Sequence, residues 1–572
     1  MCFPQKAVPG LPVVECSAFG REVVTIPTEE SKDTVPKNSI DLGKIYHMHN
    51  REEKEVLLDA DSLTSHTFIT GSTGAGKSNT VYQLLSKATE KDTDVHFLVI
   101  EPAKGEYKNI FGELGANIYG TNPKFTNLLR LNPFSFDSNK ILVHEHIDRL
   151  ISIFNVCWPM YAAMPAVLKE AVEKSYKDVG WNLEDPFVGN EYDSNFFPTF
   201  ADVARNIKEI IDSSEYDTDN KGAYKGSLLT RLKSLSNGIN GMIFSSNETG
   251  DEKLFEENTI IDLSRVGSAE TKSLIMGILI LKLQEHRIAS EKMNSSLSHI
   301  TVLEEAHNLL KRTSIDMSSE SGNLAGKSVE MISNAIAEMR TYGEAFIIAD
   351  QAPGLLDMAA IRNTNTKIIM RLPDLSDREL VGKAANLSDE QITELAKLPR
   401  GVAAVYQNEW VQPVLCKVEK FKSEEKQYKK PETSKNFTED LKKRGEIVET
   451  LLQKKRVTLQ ELNQVNISSS LKVAILNYQK TFQEYPVTIG KICAGLLPNT
   501  SNKMEELLAV KVNVNEWVDH LFNTLTVYFK EISQNELIGQ VIQSIIENSM
   551  YQDITKRQVL LNEFKNLYKK EI

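Results

Sequence analysis

The chain has 572 residues, of which 41% are hydrophobic and 25% charged, with a formal net charge of −12. That balance excludes a disordered or collagen-like chain, and the length suits three or four domains of roughly 150 residues each. The acidic excess excludes a surface that coats nucleic acid throughout, but not DNA held in a narrow channel lined by a few lysines or arginines.

Residues 1–60 read as a short β-rich lead-in. Pro9-Gly10-Leu11-Pro12 predicts turns, residues 21–26 predict a strand, and the Pro/Lys/Asn stretch at 33–39 predicts a loop. The segment is too short to close a barrel alone. A first part of an α/β core is expected over 61–112. Thr67-Phe68-Ile69 predicts a strand, followed by Gly71-Ser72-Thr73-Gly74-Ala75-Gly76-Lys77-Ser78, which fits G-x-x-x-x-G-K-[ST] at every fixed position. Val81, Leu84, Leu85 and Ala88 then fall at the spacing of one helix face. Strand, glycine loop and helix in this order define a phosphate cradle. Backbone N–H groups and the positive end of the helix dipole face the phosphates, Lys77 reaches the β- and γ-phosphates, and Ser78 binds Mg²⁺.

Continuous apolar runs at 95–100, 259–261, 300–303, 345–349 and 367–370 predict strands buried on both faces, as in a parallel sheet covered by helices. Residues 113–257 separate two of these runs and read as a mainly helical insertion, with the core resuming over 258–420. Beyond about 420 the composition shifts. Residues 422–443 form a Lys/Glu-rich linker, and 430–572 read as a helical C-terminal domain with Leu451, Leu452, Leu459 and Leu462 as candidate core positions. No apolar run approaches the roughly 18 residues of a membrane span, so no membrane association is expected. The N-terminus lacks the apolar core of a signal peptide. The five cysteines are widely spaced without a C-x-x-C pair, which suits a reducing cytoplasm.

Hydrolysis of a bound triphosphate needs a carboxylate on the metal side and a group that activates or orients water. His299-Ile300-Thr301-Val302-Leu303-Glu304-Glu305-Ala306-His307 places two glutamates at a strand end. Glu304 is assigned the metal side and Glu305 the water. Gln351, at the tip of the next strand, is placed to sense the γ-phosphate or to hold the water. Arg340, Arg362 and Arg371 are candidates for an arginine that reaches the nucleotide of a neighbouring subunit, with Arg340 the first choice. Lys104 and Glu106 follow the strand at 95–100, at the sheet edge where ligands bind, and could couple nucleotide state to a central pore. His144-Glu145-His146 and His47-Met48-His49 lack a third ligand at fixed spacing and predict structural roles.

Taken together, the segment 66–80 with Asn79 following Ser78, the turn 101–107, Leu131-Asn132-Pro133-Phe134, Ile261-Asp262-Leu263-Ser264, Leu303-Glu304-Glu305-Ala306-His307 and the stretch 342–372 resemble the HerA/FtsK superfamily of P-loop motors, the HerA branch in particular. The resemblance covers about 40 to 416. It implies a RecA-like ATPase core using ATP and Mg²⁺, a homo-hexameric ring with ATP sites between subunits, and double-stranded DNA in the pore. Asn79 carries over as a nucleotide-binding residue with the P-loop. An effector partner, a nuclease or a sirtuin-like NADase, is implied in DNA processing or antiphage defence. The N-terminal β-barrel of the family is abbreviated here, and the region after 430 has no counterpart in it. A ring that binds ATP and chiefly assembles or regulates an effector is the alternative to a translocating motor.

Overall fold

The computed structural model describes residues 17–25, 38–92, 94–161, 163–185, 187–192, 195–215, 218–312, 320–422, 426–431, 436–482, 486–497, 521–529, 534–549, 558–559, 561–562 and 564–566. The turn at Pro9–Pro12 and most of the loop at 33–39 lie outside them.

Two compact units divide the chain. One comprises 1–129, 136–169 and 249–430; the other comprises 130–135, 170–248 and 431–572. The first is built on a twelve-stranded sheet. Its strands in chain order are β1 (Ser39–His47), β2 (Asn50–Asp59), β3 (Thr67–Thr70), β4 (His96–Glu101), β5 (Asn117–Gly120), β6 (Asn127–Leu128), β7 (Thr259–Asp262), β8 (His299–Glu304), β9 (Glu344–Asp350), β10 (Thr366–Ile369), β11 (Val402–Tyr406) and β12 (Val414–Val418). Their spatial order is β2-β1-β12-β11-β10-β3-β9-β8-β4-β7-β5-β6. From β10 to β6 all neighbours run parallel, whereas β11, β12, β1 and β2 extend the sheet antiparallel.

The central strands are apolar on both faces because helices cover both. Every residue of β3, β7, β8, β9 and β10 is buried. Helix α1 (Lys77–Lys91) turns Val81, Leu84, Leu85 and Ala88 into the core, the face its spacing predicts. This is the RecA-like α/β core expected from the sequence.

The structure refines the sequence reading in three places. The strand expected at 21–26 is reduced, over its described part, to a single bridge from Thr25 to Trp410. Instead, β1 and β2 join the main sheet through β12, so the lead-in is an edge of the core. Within the mainly helical insertion read at 113–257, β5 and β6 continue the parallel sheet, and helix α3 (Val143–Cys157) belongs to the same unit as the sheet, as does helix α2 (Tyr107–Phe111) ahead of the insertion. The linker at 422–443 is partly docked. Tyr428 N–H donates to Asn109 Oδ1 at 3.0 Å, and Lys430 Nζ donates to the carbonyl of Pro123 at 2.7 Å.

The second unit joins two stretches distant in sequence. A helix at Phe200–Ser213 starts at Thr199, where Thr199 and Asp202 form a capping box. Ser246 Oγ donates to the carbonyl of Ile467 at 2.7 Å. Leu451 and Leu462 are fully buried in a core with Ile475, Cys493 and Ile542, while Leu452 packs at its margin. Among the described residues no helix is long and apolar enough to cross a membrane.

Candidate active site

The carboxyl ends of β3, β8, β9 and β4 lie side by side, and the candidate residues converge there. Thr70 at the end of β3 is in register with Asp350 at the end of β9, and Glu304 at the end of β8 with Ala349. Between them opens a cavity of about 700 Å³ whose lining includes Gly74, Gly76, Lys77, Ser78, Glu304, Glu305 and Gln351. Lys104 and Glu106 line it too, so the turn after β4 faces the same space.

The P-loop holds its shape through backbone geometry that side chains resist. Gly74 and Gly76 have φ of 75° and 123°, in the region that favours glycine, and a Cβ on Gly76 would stand 3.4 Å from Gly401 Cα. Ser72 N–H donates to the carbonyl of Arg371 at 2.9 Å, which ties the loop to the end of β10. Lys77 is buried and its Nζ donates to the carbonyl of Gly71 at 2.6 Å. Burial lowers the pKa of its ammonium, and Glu304 and Glu305 oppose that shift.

The two glutamates occupy different environments. Glu304 is buried, and its Oε1 accepts the phenolic hydrogen of Tyr107 at 2.5 Å. Burial raises the Glu304 pKa, the neighbouring Glu305 adds to the rise, and the Tyr107 hydrogen bond and Lys77 pull against it. Such a carboxylate is stabilised by a cation. Glu305 has φ of 47° and ψ of 51°, a left-handed conformation unusual for a side chain with Cβ. That conformation turns the chain sharply at the strand end. Glu305 Oε1 accepts from Gln351 Nε2, and Gln351 Oε1 accepts from Thr73 Oγ1 at 2.6 Å. Thr73, Gln351 and Glu305 thus form one hydrogen-bonded chain from the P-loop to the strand end.

A clip that the sequence reading did not identify braces this turn. Asp350 is fully buried. Its Oδ2 accepts from both the backbone N–H and Nδ1 of His307 at 2.9 Å, and its Oδ1 accepts from Ala352 N–H. The hydrogen bond to Asp350 raises the His307 pKa against the opposing effect of burial. Glu101, at the end of β4, organises the adjacent turn by accepting from the N–H groups of Glu106 and Tyr107 at 2.8 and 3.3 Å, with its carboxyl pushed by burial up to about 8. The pairings Asp350–His307 and Tyr107–Glu304 span 43 and 197 positions, separations over which no local spacing rule operates.

One assignment changes. Asn79 does not present a free amide to a ligand: its Nδ2 donates to the carbonyl of Glu419 at 2.8 Å and its Oδ1 accepts from Phe421 N–H at 2.9 Å. Arg340 is absent from the cavity. It lines, with Arg362, Asn363 and His66, a separate depression of about 560 Å³ at the opposite edge of the sheet, where β3, β9 and β10 begin. Arg371 meets the P-loop through its backbone, and its side chain is exposed. His146 forms a buried pair with Glu285 at 2.9 Å, a structural role consistent with the missing third ligand.

A parallel α/β sheet with a P-loop at one strand end and an acidic residue pair at the next but one defines a P-loop ATPase. The family model for the central domain of the helicase HerA matches residues 40–283. The chain is 26% identical over 432 residues to the DNA double-strand break repair helicase HerA of Sulfurisphaera tokodaii, spanning 74% of this chain and 77% of that protein. It is 24% identical over 442 residues to the protein of the same name from Sulfolobus acidocaldarius, spanning 77% and 79%. Among solved structures, VirB4 of Thermoanaerobacter pseudethanolicus shares the fold with a TM-score of 0.51 at 20% identity, covering 67% of this chain and 97% of that one. The chain is a P-loop ATPase, similar in its sequence to the HerA helicases.

Proposed function

We propose that this ATPase is a ring-forming motor that couples ATP hydrolysis to movement on double-stranded DNA. The relatives named as DNA repair helicases support the nucleic acid. The observation that carries the ring is the separation of the two polar depressions. Lys77, Glu304, Glu305 and Gln351 line one edge of the sheet, while Arg340 and Arg362 line the other. An arginine there serves a nucleotide only across a subunit boundary, and a homo-hexamer brings the two edges together. The trans-acting arginine is worth about 10³–10⁵ in turnover in related chemistry.

Within the site, the P-loop N–H groups and Lys77 neutralise the phosphates. Glu305 receives a proton from the attacking water as the γ-phosphorus–oxygen bond to ADP breaks. Gln351 holds the Glu305 carboxylate in place and, through Thr73, ties that position to the P-loop. Ser78 and the buried Glu304 fit Mg²⁺, because one offers a hydroxyl and the other a carboxylate whose charge burial disfavours unless a cation answers it. Mg²⁺ would supply charge neutralisation at the β- and γ-oxygens. A nuclease or sirtuin-like NADase partner, in DNA processing or antiphage defence, completes the reading, with the helical region 430–572 as its docking element. The buried free thiols of Cys157, Cys416 and Cys493 suit a reducing cytoplasm.

Mixing two inactive variants tests the shared site. Lys77→Ala and Arg340→Ala are each expected to lose ATP turnover, and their mixture to regain part of it when duplex DNA is present. Failure of the mixture to regain activity, with both variants still assembled, would sink the shared-site ring. Loss of stimulation by long duplex DNA at low salt would remove the motor and leave an ATP-binding scaffold.

A further inference from the structure

The antiparallel extension of the sheet contributes a second wall to the nucleotide cavity. Arg400, Lys420 and Phe421 line it beside the P-loop, yet they flank β11 and β12, which carry none of the motif residues. Two sets of contacts fix this wall. The turn before β11 is pinned to the P-loop, with Gly401 N–H donating to the carbonyl of Ala75 at 2.8 Å and Lys417 Nζ donating to the carbonyl of Arg400 at 2.6 Å. The strap after β12 is pinned to α1 by both ends of the Asn79 amide. With the strap held at Glu419 and Phe421, the exposed Lys420 and the half-buried Phe421, whose ring also packs on Tyr82 and Phe111, line the cavity.

The wall is chemically graded. Arg400, beside Ala75 and Gly76, stands at the phosphate end and brings a guanidinium suited to phosphate oxygens. Phe421 shares the lining with Tyr82, Asn109 and Ile110, and its ring meets that of Tyr82 edge-on at 6.0 Å. An aromatic face next to an aliphatic side chain and an amide suits a flat heterocycle better than a phosphate.

We propose that Arg400 binds the phosphates of the nucleotide from within the same subunit, and that Phe421, positioned by Asn79, contacts its base. The inference rests on the ATPase reading of the cavity and assigns the half of it that the P-loop does not form. Asn79 is a positioning residue, since its amide is spent on the strap.

Titration of the full chain with a fluorescent ATP analogue, with ATP and inorganic tripolyphosphate as competitors, separates the contributions. Phe421→Ala should weaken ATP about tenfold and leave tripolyphosphate within twofold, because tripolyphosphate has no base. Phe421→Trp should retain ATP binding, which guards against a folding artefact. Arg400→Ala, at an exposed side chain, should weaken both competitors alike. Asn79→Ala should reproduce the Phe421→Ala pattern in milder form. An unchanged ATP affinity in Phe421→Ala, or equal weakening of both competitors, overturns the base contact; unchanged affinities in Arg400→Ala overturn the phosphate contact. Wild-type protein that binds no ATP would instead overturn the ATPase reading itself.

Discussion

Tyr107, at the start of α2, and Glu304, at the end of β8, lie 197 positions apart and share one hydrogen, phenol to carboxylate, at 2.5 Å in a buried pocket. The bond favours the ionised form of a carboxyl that burial pushes toward protonation. Tyr107→Phe should therefore raise the Glu304 pKa further. The acid limb of the pH–kcat profile is expected to move to higher pH, with a stability loss of about 1 kcal/mol from the missing bond. A pH–rate series for both proteins in steady-state ATP hydrolysis checks it; coincident profiles would separate Tyr107 from the carboxylate's chemistry.

Glu305→Gln keeps the shape of the side chain and removes its basicity. ATP binding is expected to persist while turnover falls by at least about 10²-fold, within the usual range for a general base. Nucleotide retention on a desalting column, set beside a phosphate-release assay, reads both. Turnover near wild type would exclude Glu305 from the proton transfer.

Asp350 carries no assigned chemistry, yet three donors converge on it in full burial. Asp350→Asn removes the negative charge and leaves at least one of those donors facing a donor. A loss of about 2 kcal/mol is expected, with a fall in turnover because the left-handed Glu305 loses its brace. The His307 resonance should titrate at lower pH in the variant, since the bond to Asp350 is what raises it. Urea melts and NMR titration measure the two effects separately.

Buried histidines should make stability sensitive to acid well before ordinary carboxylates protonate. Burial holds His66 neutral with a pKa near 4 and lowers that of His299. The unfolded chain takes up a proton at each below about 6.5 while the folded chain refuses it, so the contribution of these two residues to stability falls as pH drops through that range. Burial alone would raise Glu344, but His299 at 2.9 Å and Arg287 at 2.9 Å hold it near 2. Its contribution is present above about 4.5 and is lost as pH falls toward 2. Glu101, held up to about 8, works in the opposite sense over the same range, so the histidine contribution is read as a difference: between pH 6.5 and 5 urea midpoints should fall more steeply in the wild type than in His66→Gln.

The strand–loop–helix around Lys77, the glutamates at the end of β8 and Gln351 at the end of β9 were legible because each lies within one local unit of strand and turn. Burial of β3 and β7 to β10 on both faces left uninterrupted apolar runs that announced a parallel sheet. What escaped depends on strand order. The wall with Arg400 and Phe421 exists only because β12 is placed next to β11 and the strap after β12 returns to α1. Strands as short as β6, two residues long, leave no periodicity to read, so the sheet's continuation past residue 113 is hidden within what reads as a mainly helical insertion. The partnership of 170–248 with 431–572 is likewise a packing choice between helices, and amphipathic spacing names the face of a helix without naming what covers it.

The strand β3 is four residues long, about 13 Å at the usual rise, and it is hydrogen-bonded to a neighbour on each side. His66 at its start lines the arginine depression and Gly71 at its end opens the P-loop. A rod this short and this firmly held transmits displacement without absorbing it. In the proposed ring, this strand joins the nucleotide that a subunit holds to the one its Arg362 and Arg340 would reach.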